Sequence, residues 1–254
     1  MRKTGKRSLI MENRNFQLDN EWSIIHYPEK PTGFGILILG DERHFVDAKN
    51  SFWLQNEGKL SIINKFKESG YTIFSSNLYG RNWGSDKALD LAARLYQYVI
   101  RTEILNSKIH IFAEGMGALT AIQLMKKMSG QIRSVVFLNP ILSLKSHLEQ
   151  EKEHKFFLKK LSKELEAAYQ CSFKQLEEKV LNQNEELPFG HNIPIKMIHV
   201  LSGGRAYNQT KFNLSLIKQE VENHKIESSL ILPEKKQQLG AMSVKFFNRH
   251  EKIL

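Results

Sequence analysis

A short strand, a sharp turn and an apolar helix follow one another without a linker between Lys108 and Ile122, and this stretch constrains the fold more than any other. Ile-His-Ile-Phe is apolar enough for a strand covered on both faces. The turn reads Ala113-Glu-Gly-Met-Gly117, and small and apolar residues follow it. Small residues let a helix approach a sheet closely, and Gly115 can adopt a strained turn conformation at low cost. The stretch therefore predicts an α/β fold.

Apolar strands and amphipathic helices alternate through the rest of the chain. The helices begin near Leu60 and at Ser85 or Asp86, where apolar residues recur at helical spacing. Alternation of this kind predicts an α/β domain with a mostly parallel central sheet and helices on both faces. We predict strands at 16–19, 22–27, 34–39, 71–76, 109–112, 132–138, 194–200 and 226–232.

The length of 254 residues and the 41% apolar content suit one large domain. We predict a disordered basic tail over residues 1–15 and a single domain over 16–254. No apolar run is long enough for a membrane-spanning helix or a signal peptide. The one cysteine, Cys171, excludes an internal disulfide framework and favours a cytoplasmic location. Nothing near Cys171 would activate its thiol, so we expect a half-buried, unreactive residue.

The net charge of +10 raises the question of an anionic partner. The lysines are spread over many helices and alternate with glutamates, which is typical of solvated surfaces. No nucleic-acid-binding motif accompanies them, so the pattern argues against nucleic-acid binding. Peripheral contact with an anionic membrane stays open as an alternative.

The turn at 113–117 resembles the nucleophile elbow, G-x-S-x-G, of the α/β-hydrolase superfamily. The loop Asn77-Leu-Tyr-Gly-Arg-Asn-Trp-Gly-Ser85 is similar to that superfamily's D-x-x-G-x-G-x-S segment, with Asn77 at the acidic position. The resemblance extends from about Phe16 to the C-terminus. It implies two antiparallel edge strands at the start, and a helical lid inserted at 144–190 over a substrate pocket.

The same resemblance shows where catalytic residues should stand, and all three positions are substituted. Gly115 replaces the nucleophile. The acid is expected near Gly203–Arg205 and the base near Gln237 or Gln238. The next histidine, His250, lies about 15 Å further along the final helix. A serine-hydrolase mechanism needs nucleophile, base and acid together.

The loop after the third strand also departs from the superfamily, because it reads Gly40-Asp41-Glu42. This loop should help to form the oxyanion hole, where negative charge opposes the developing oxyanion. Glu114 is not a convincing carboxylate nucleophile, because it precedes the nucleophile position by one residue. We therefore predict that the chain has lost the Ser-Asp/Glu-His triad and is a non-catalytic binding or accessory protein, with an unknown small molecule or protein as partner.

The alternative is an enzyme with a rearranged active site that acts on a small ester, thioester or related substrate. Its groups would converge at the carboxyl edge of the sheet; the candidates are Asp41, His44, Glu114 and either Ser75 or Ser76, with Ser143 a weaker addition. The nine histidines show no metal-ligand spacing and no phosphate-binding loop is present. We therefore expect no metal and no cofactor.

Overall fold

A computed structural model describes residues 12–182, 193–201 and 226–251, without the side chains of 180–182. The strands are β1 (Asn13–Leu18), β2 (Glu21–His26), β3 (Gly35–Leu39), β4 (Thr72–Ser76), β5 (Ile109–Glu114), β6 (Ile132–Leu138), β7 (Ile195–Val200) and β8 (Ile226–Ile231). The helices are α1 (Phe52–Gln55), α2 (Glu57–Glu68), α3 (Asp86–Thr102), α4 (Gly117–Lys127), α5 (Leu144–Glu151), α6 (Lys155–Tyr169), α7 (Phe173–Asn182) and α8 (Leu239–Asn248).

The eight strands form one sheet in the order β1-β2-β4-β3-β5-β6-β7-β8. β1 is antiparallel to β2, β2 is antiparallel to β4, and the other neighbours are parallel. The predicted mostly parallel sheet and its antiparallel start are therefore confirmed. Because β3 and β5 are central and parallel, the loops that follow them meet at the same edge of the sheet.

Two hydrophobic cores lie on the two faces of the sheet. One core joins α3 and α4 to the sheet, for example through Leu95 and Ile111. The other joins α1, α2 and α8 to the sheet, for example through Phe66 and Phe112. Ile111 and Phe112 enter different cores because successive side chains of a strand point to opposite faces. Helices therefore cover both faces, as predicted.

A third cluster joins α5, α6 and α7 to the carboxyl edge of the sheet. It contains Leu161, Leu165 and Leu176 together with Met116 of the elbow and Trp83. These helices occupy the region between β6 and β7 where the insertion at 144–190 was predicted. Phe157, at helical spacing from Leu161 and Leu165, is 39% exposed.

The domain boundary needs one correction. β1 begins at Asn13 and pairs with β2, so residues 13–15 are part of the sheet and not of a tail. Residues 1–11 lie outside the described part of the chain. Cys171 is a half-buried free thiol, as expected. Within the described ranges, no helix has the length and apolar character needed to cross a membrane.

Candidate functional site

The elbow keeps the backbone of a strained strand-to-helix turn. Gly115 has φ +50°, a left-handed conformation that favours glycine. Its N–H donates to the carbonyl of Leu138 (3.1 Å), and its own carbonyl accepts from the N–H of Ile141 (2.9 Å). A Cβ on Gly117 would lie 2.3 Å from the carbonyl oxygen of Leu39, so only glycine lets α4 approach β3 this closely. Neighbouring strands therefore hold this turn on both sides.

The carboxylate of Asp41 lies directly over the elbow. A Cβ built on Gly115 would be 2.1 Å from Asp41 Oδ1. The same oxygen accepts a hydrogen bond of 2.9 Å from the N–H of Met116. Asp41 was predicted to bring unfavourable negative charge to the oxyanion loop, and its side chain fills the space above Gly115. The N-terminus of α4 favours this arrangement because helix N-termini attract negative charge.

A second carboxylate beside the turn is held by a lysine from α2. Lys59 Nζ forms an ion pair with Glu114, and both side chains are largely buried. The Lys59 ammonium also lies 5.2 Å from the centre of the Trp53 ring. Burial raises the pKa of Glu114; Lys59 opposes this shift, and the negative charge of Asp41 adds to it. Asp41, Glu114 and Lys59 therefore form one charged group at the elbow.

His44 comes from the same loop as Asp41, but its ring is directed to the backbone of β4. Its Nε2–H donates to the carbonyl of Ser76 at 3.0 Å. This bond leaves Nδ1 unprotonated, buried and without a partner in the described structure. Burial lowers the pKa of His44 to about 4, so the ring is neutral at pH 7. A Cβ on Gly40 would lie 2.7 Å from Nδ1, so the ring packs tightly against this backbone.

The candidate serines are hydrogen-bonded to backbone groups or buried within the sheet. The hydroxyl of Ser76 donates to the carbonyl of Trp22 at 3.2 Å. Ser75 is buried and lies in register with Ile24 of β2 and Ile38 of β3. Ser143 is the N-cap of α5 and accepts from the N–H of Ser146 at 2.8 Å. Of the rearranged set, the structure thus brings Asp41 and Glu114 together and gives His44, Ser76 and Ser143 structural contacts.

Met116 and Trp83 close the space beside the elbow. Both side chains are buried, and the N–H of Trp83 lies 3.2 Å from the Met116 sulfur. Trp83 Nε1 donates to Glu164 of α6 at 3.0 Å, and Tyr169 donates its hydroxyl to the carbonyl of Trp83 at 2.9 Å. Two ion pairs also join α6 to the loops beside the elbow: Glu164 with Arg81 (2.8 Å) and Lys160 with Glu42 (3.2 Å).

Solved structures with the same arrangement of strands and helices identify the architecture. Est1E from Butyrivibrio proteoclasticus superposes with a TM-score of 0.64 at 10% identity, over 94% of this chain and 98% of its own. A fluorophosphonate-binding serine hydrolase from Staphylococcus aureus, FphF, gives 0.60 at 12% identity, over 92% and 96%.

The chain has the α/β-hydrolase fold. A puromycin-hydrolysing peptidase from Mycobacterium tuberculosis gives a TM-score of 0.67 at 14% identity, over 94% of this chain and 39% of that one. Compared by sequence, the chain matches no protein-family model and no curated protein.

Two of the three positions at which enzymes of the α/β-hydrolase fold carry their triad lie within the described residues. Gly115 has no side chain, and Gln237 and Gln238 are exposed in a 3-10 turn after β8. The predicted acid position, Gly203–Arg205, lies outside the described residues. His250 packs its ring against Phe246, and its carbonyl accepts from Arg133 near the amino end of β6. His250 therefore lies at the amino edge of the sheet, whereas the elbow lies at the carboxyl edge.

A buried serine, histidine and glutamate also meet at that amino edge. Ser134 Oγ lies 2.7 Å from His110 Nδ1, and His110 Nε2 lies 3.4 Å from a carboxylate oxygen of Glu251. Ser134 and His110 are fully buried, and Tyr71 donates to the same glutamate. The arrangement resembles a triad in residue type, but no substrate can reach Ser134. It links the end of the chain to β5 and β6.

Sequence reasoning did not find Lys59, Trp83 or Met116 as parts of the site. Met116 was expected only to flank the nucleophile position, and Lys59 looks like any other lysine of an amphipathic helix. The glycines around Trp83 were the available signal, since Trp83 has φ +46° in a loop of left-handed residues. Among the described residues, no group of three His, Cys, Asp or Glu side chains is arranged to hold a metal ion.

Proposed function

We propose that this α/β-hydrolase-fold protein is a non-catalytic binding or accessory protein. The observation that carries the proposal is the position of the Asp41 carboxylate, which fills the space above Gly115. A nucleophile in the elbow would project into this space. Gly115 supplies no hydroxyl, and the side chain of Asp41 takes the room that one would need.

The state of the oxyanion hole supports the same proposal. In this fold, the N–H of the residue after the nucleophile stabilises the oxyanion. Here that N–H belongs to Met116 and is already bonded to Asp41 Oδ1. A carboxylate at this place repels a developing oxyanion, and removal of one such donor from a serine hydrolase costs about 10²–10³ in kcat.

The position of His44 adds a third argument. A general base must be within hydrogen-bond reach of the proton that it removes. His44 bonds to the backbone of Ser76 through Nε2, and its Nδ1 packs against Gly40. Its ring therefore supports β4 and the loop after β3.

A screen of short-chain esters, thioesters and lactones tests the proposal. We expect hydrolysis by the purified protein to stay at the buffer rate. FphF from Staphylococcus aureus, a serine hydrolase of similar fold, is the positive control. Sustained turnover by the wild type would contradict the proposal. Its loss in Asp41→Ala but not in Asp47→Ala, an exposed aspartate in the same part of the chain, would place that turnover at the elbow.

One observation favours a second candidate, an enzyme with rearranged chemistry. Asp41, Glu114 and Lys59 lie together, and the pKa of Glu114 is raised. Raised carboxyl pKa values are common at acid-base sites. This candidate requires a turnover that Glu114→Gln abolishes in a folded protein. Glu68→Gln, at an exposed glutamate of α2, is the matched control and should leave that turnover unchanged.

A further inference from the structure

Helix α6 exposes two adjacent phenylalanines at its N-terminus. Phe156 is 76% exposed and Phe157 is 39% exposed. Their rings pack edge to face, with the ring centroids 5.5 Å apart. Neighbouring large aromatic side chains on an otherwise charged surface mark an interaction site more often than scattered apolar residues do.

Three lysines continue from Phe156 along the same side of the helix. Lys155, Lys159 and Lys163 are spaced four residues apart, so they lie one above the other. At about 100° per residue, the lysines and Phe156 together span an arc of about 100°. We call these four residues the Lys–Phe face.

Within the described part of the chain, the positive charge of the Lys–Phe face exceeds the negative charge beside it. All three lysines are exposed, and no carboxylate in the described part of the chain forms an ion pair with them. Nearby carboxylates have other partners: Glu164 and Glu42 contact Lys160, and Glu177 contacts Lys152. Glu166, which shares this side of the helix, accepts from the N–H of Phe173 but keeps its charge, and Glu153 precedes the helix, so two exposed carboxylates oppose the three lysines.

The opposite side of α6 is fixed to the domain. Leu161 and Leu165 are buried in the cluster around Met116 and Trp83, and Trp83 donates a hydrogen bond to Glu164. The Lys–Phe face is therefore held outward on a folded helix. It needs no unfolding and no ordering before it can meet a partner.

We propose that the Lys–Phe face docks the protein on an anionic lipid bilayer. Lysine ammonium groups would contact lipid phosphates and carboxylates, and Phe156 would enter the boundary between headgroups and acyl chains. Clustered lysines bind anionic membrane surfaces electrostatically, and each lysine near the surface strengthens binding about fivefold. An exposed aromatic side chain adds apolar burial at the boundary between headgroups and acyl chains.

The composition of the face favours a bilayer over a nucleic acid. Its cations are lysines, which act as point charges, whereas guanidinium groups are preferred where planar, bidentate recognition is needed. The edge-to-face rings of Phe156 and Phe157 also do not offer two parallel platforms for successive bases. A fluid anionic surface with an apolar layer beneath it satisfies both the lysines and Phe156.

Vesicle flotation with the full chain tests this proposal. Vesicles of phosphatidylcholine with about 30% phosphatidylserine are compared with pure phosphatidylcholine at about 0.1 M NaCl. We expect the wild type to float only with the anionic vesicles, and less at about 0.5 M NaCl. Phe156→Ala should weaken binding about five- to tenfold, and K155Q/K159Q/K163Q should weaken it about 100-fold.

Two variants with matched chemistry distinguish the Lys–Phe face from overall charge and apolarity. Ile104→Ala removes an apolar side chain that is 98% exposed elsewhere, and K30Q/K49Q/K108Q removes three other exposed lysines. Both should bind vesicles within about twofold of the wild type.

The proposal would be overturned if K30Q/K49Q/K108Q weakened vesicle binding as much as K155Q/K159Q/K163Q. It would also be overturned if the wild type bound both kinds of vesicle equally, or bound neither at about 0.1 M NaCl. Binding to RNA or polyglutamate through the three lysines, without vesicle binding, would instead identify an acidic polymer as the partner and would also overturn it. Circular dichroism and thermal melts confirm that each variant is folded.

Discussion

Asp41 and Gly115 occupy complementary places: the carboxylate of Asp41 lies where a side chain on residue 115 would have to be, 2.1 Å from the position of its Cβ. The two residues come from the ends of β3 and β5, which pair in parallel. The contact means that neither residue can be changed in isolation without affecting the other. It also explains how the turn keeps φ +50° without a nucleophile, because Asp41 fills the space and bonds to Met116.

Restoring a serine at the elbow is therefore expected to destabilise the protein. Gly115→Ser must adopt a left-handed conformation, which costs about 1–2 kcal/mol, and must displace the Asp41 carboxylate. We expect a loss of about 2–4 kcal/mol in unfolding free energy, measured by urea denaturation. Asp41→Ala with Gly115→Ser should recover about 1–2 kcal/mol relative to additive effects.

The matched control for that cycle is Gly130→Ser. A Cβ at Gly130 meets nothing within 4 Å, so the change should cost less than about 1 kcal/mol. If Gly115→Ser is no more harmful than Gly130→Ser, or if the double variant shows no coupling, the proposed contact between Asp41 and residue 115 is wrong.

Removing Lys59 should destabilise the protein in a pH-dependent manner. Burial raises the pKa of Glu114 and Lys59 opposes that shift, so Lys59→Met leaves a buried carboxylate with a still higher pKa. A group whose pKa is raised on folding stabilises the protein below its unfolded pKa, and this contribution is lost as pH rises through the folded pKa.

The loss caused by Lys59→Met should thus be about 2–3 kcal/mol at pH 7 and smaller near pH 4.5. Urea denaturation at the two pH values measures the difference. Lys127→Met removes one partner of an exposed pair with Asp90 and should cost under about 1 kcal/mol at either pH. A pH-independent loss for Lys59→Met would argue against a buried, coupled Glu114.

Buried histidines should make the protein sensitive to acid. Burial lowers the pKa of His199 to about 4 and that of His44 to about 4, and His26 falls to about 3. Below the ordinary value of 6.5 the unfolded chain binds protons that the folded chain does not. The contribution of these histidines to the unfolding free energy is therefore fully present above about pH 6.5. It falls as pH is lowered toward 4, by about 1.4 kcal/mol per pH unit for each histidine.

His199 offers the clearest test of this linkage. It is fully buried in β7, and neither ring nitrogen has a hydrogen-bond partner in the described structure. His199→Leu should remove about one proton from the slope of unfolding free energy against pH between 6.5 and 4.5. An unchanged slope for His199→Leu would mean that its ring is not held neutral by burial.

The sequence predicted the elements that local patterns determine. The strand before the elbow turn and the helix after it follow from residue size, apolarity and glycine placement, and they are confirmed as β5 and α4. The start of β1 was placed too late because Asn13-Arg-Asn15 is polar. Those residues are ordered by pairing with β2 and not by burial.

The contacts across the site could not be read from the sequence. Asp41 was recognised as unfavourable for an oxyanion hole, but its contact with Gly115 depends on the register between β3 and β5. Lys59 reaches Glu114 from α2, a helix whose other lysines look equivalent in sequence. Phe157 has helical spacing with Leu161 and Leu165, yet it is 39% exposed whereas they are buried in the third cluster.

Labelling with a fluorophosphonate probe, read by intact-protein mass, tests the central claim most directly. With Asp41 in place of a nucleophile side chain, the wild type should show no mass shift under conditions that fully label FphF, the fluorophosphonate-binding hydrolase from Staphylococcus aureus. Stoichiometric labelling of a serine in the native protein, abolished by unfolding it beforehand, would contradict the account.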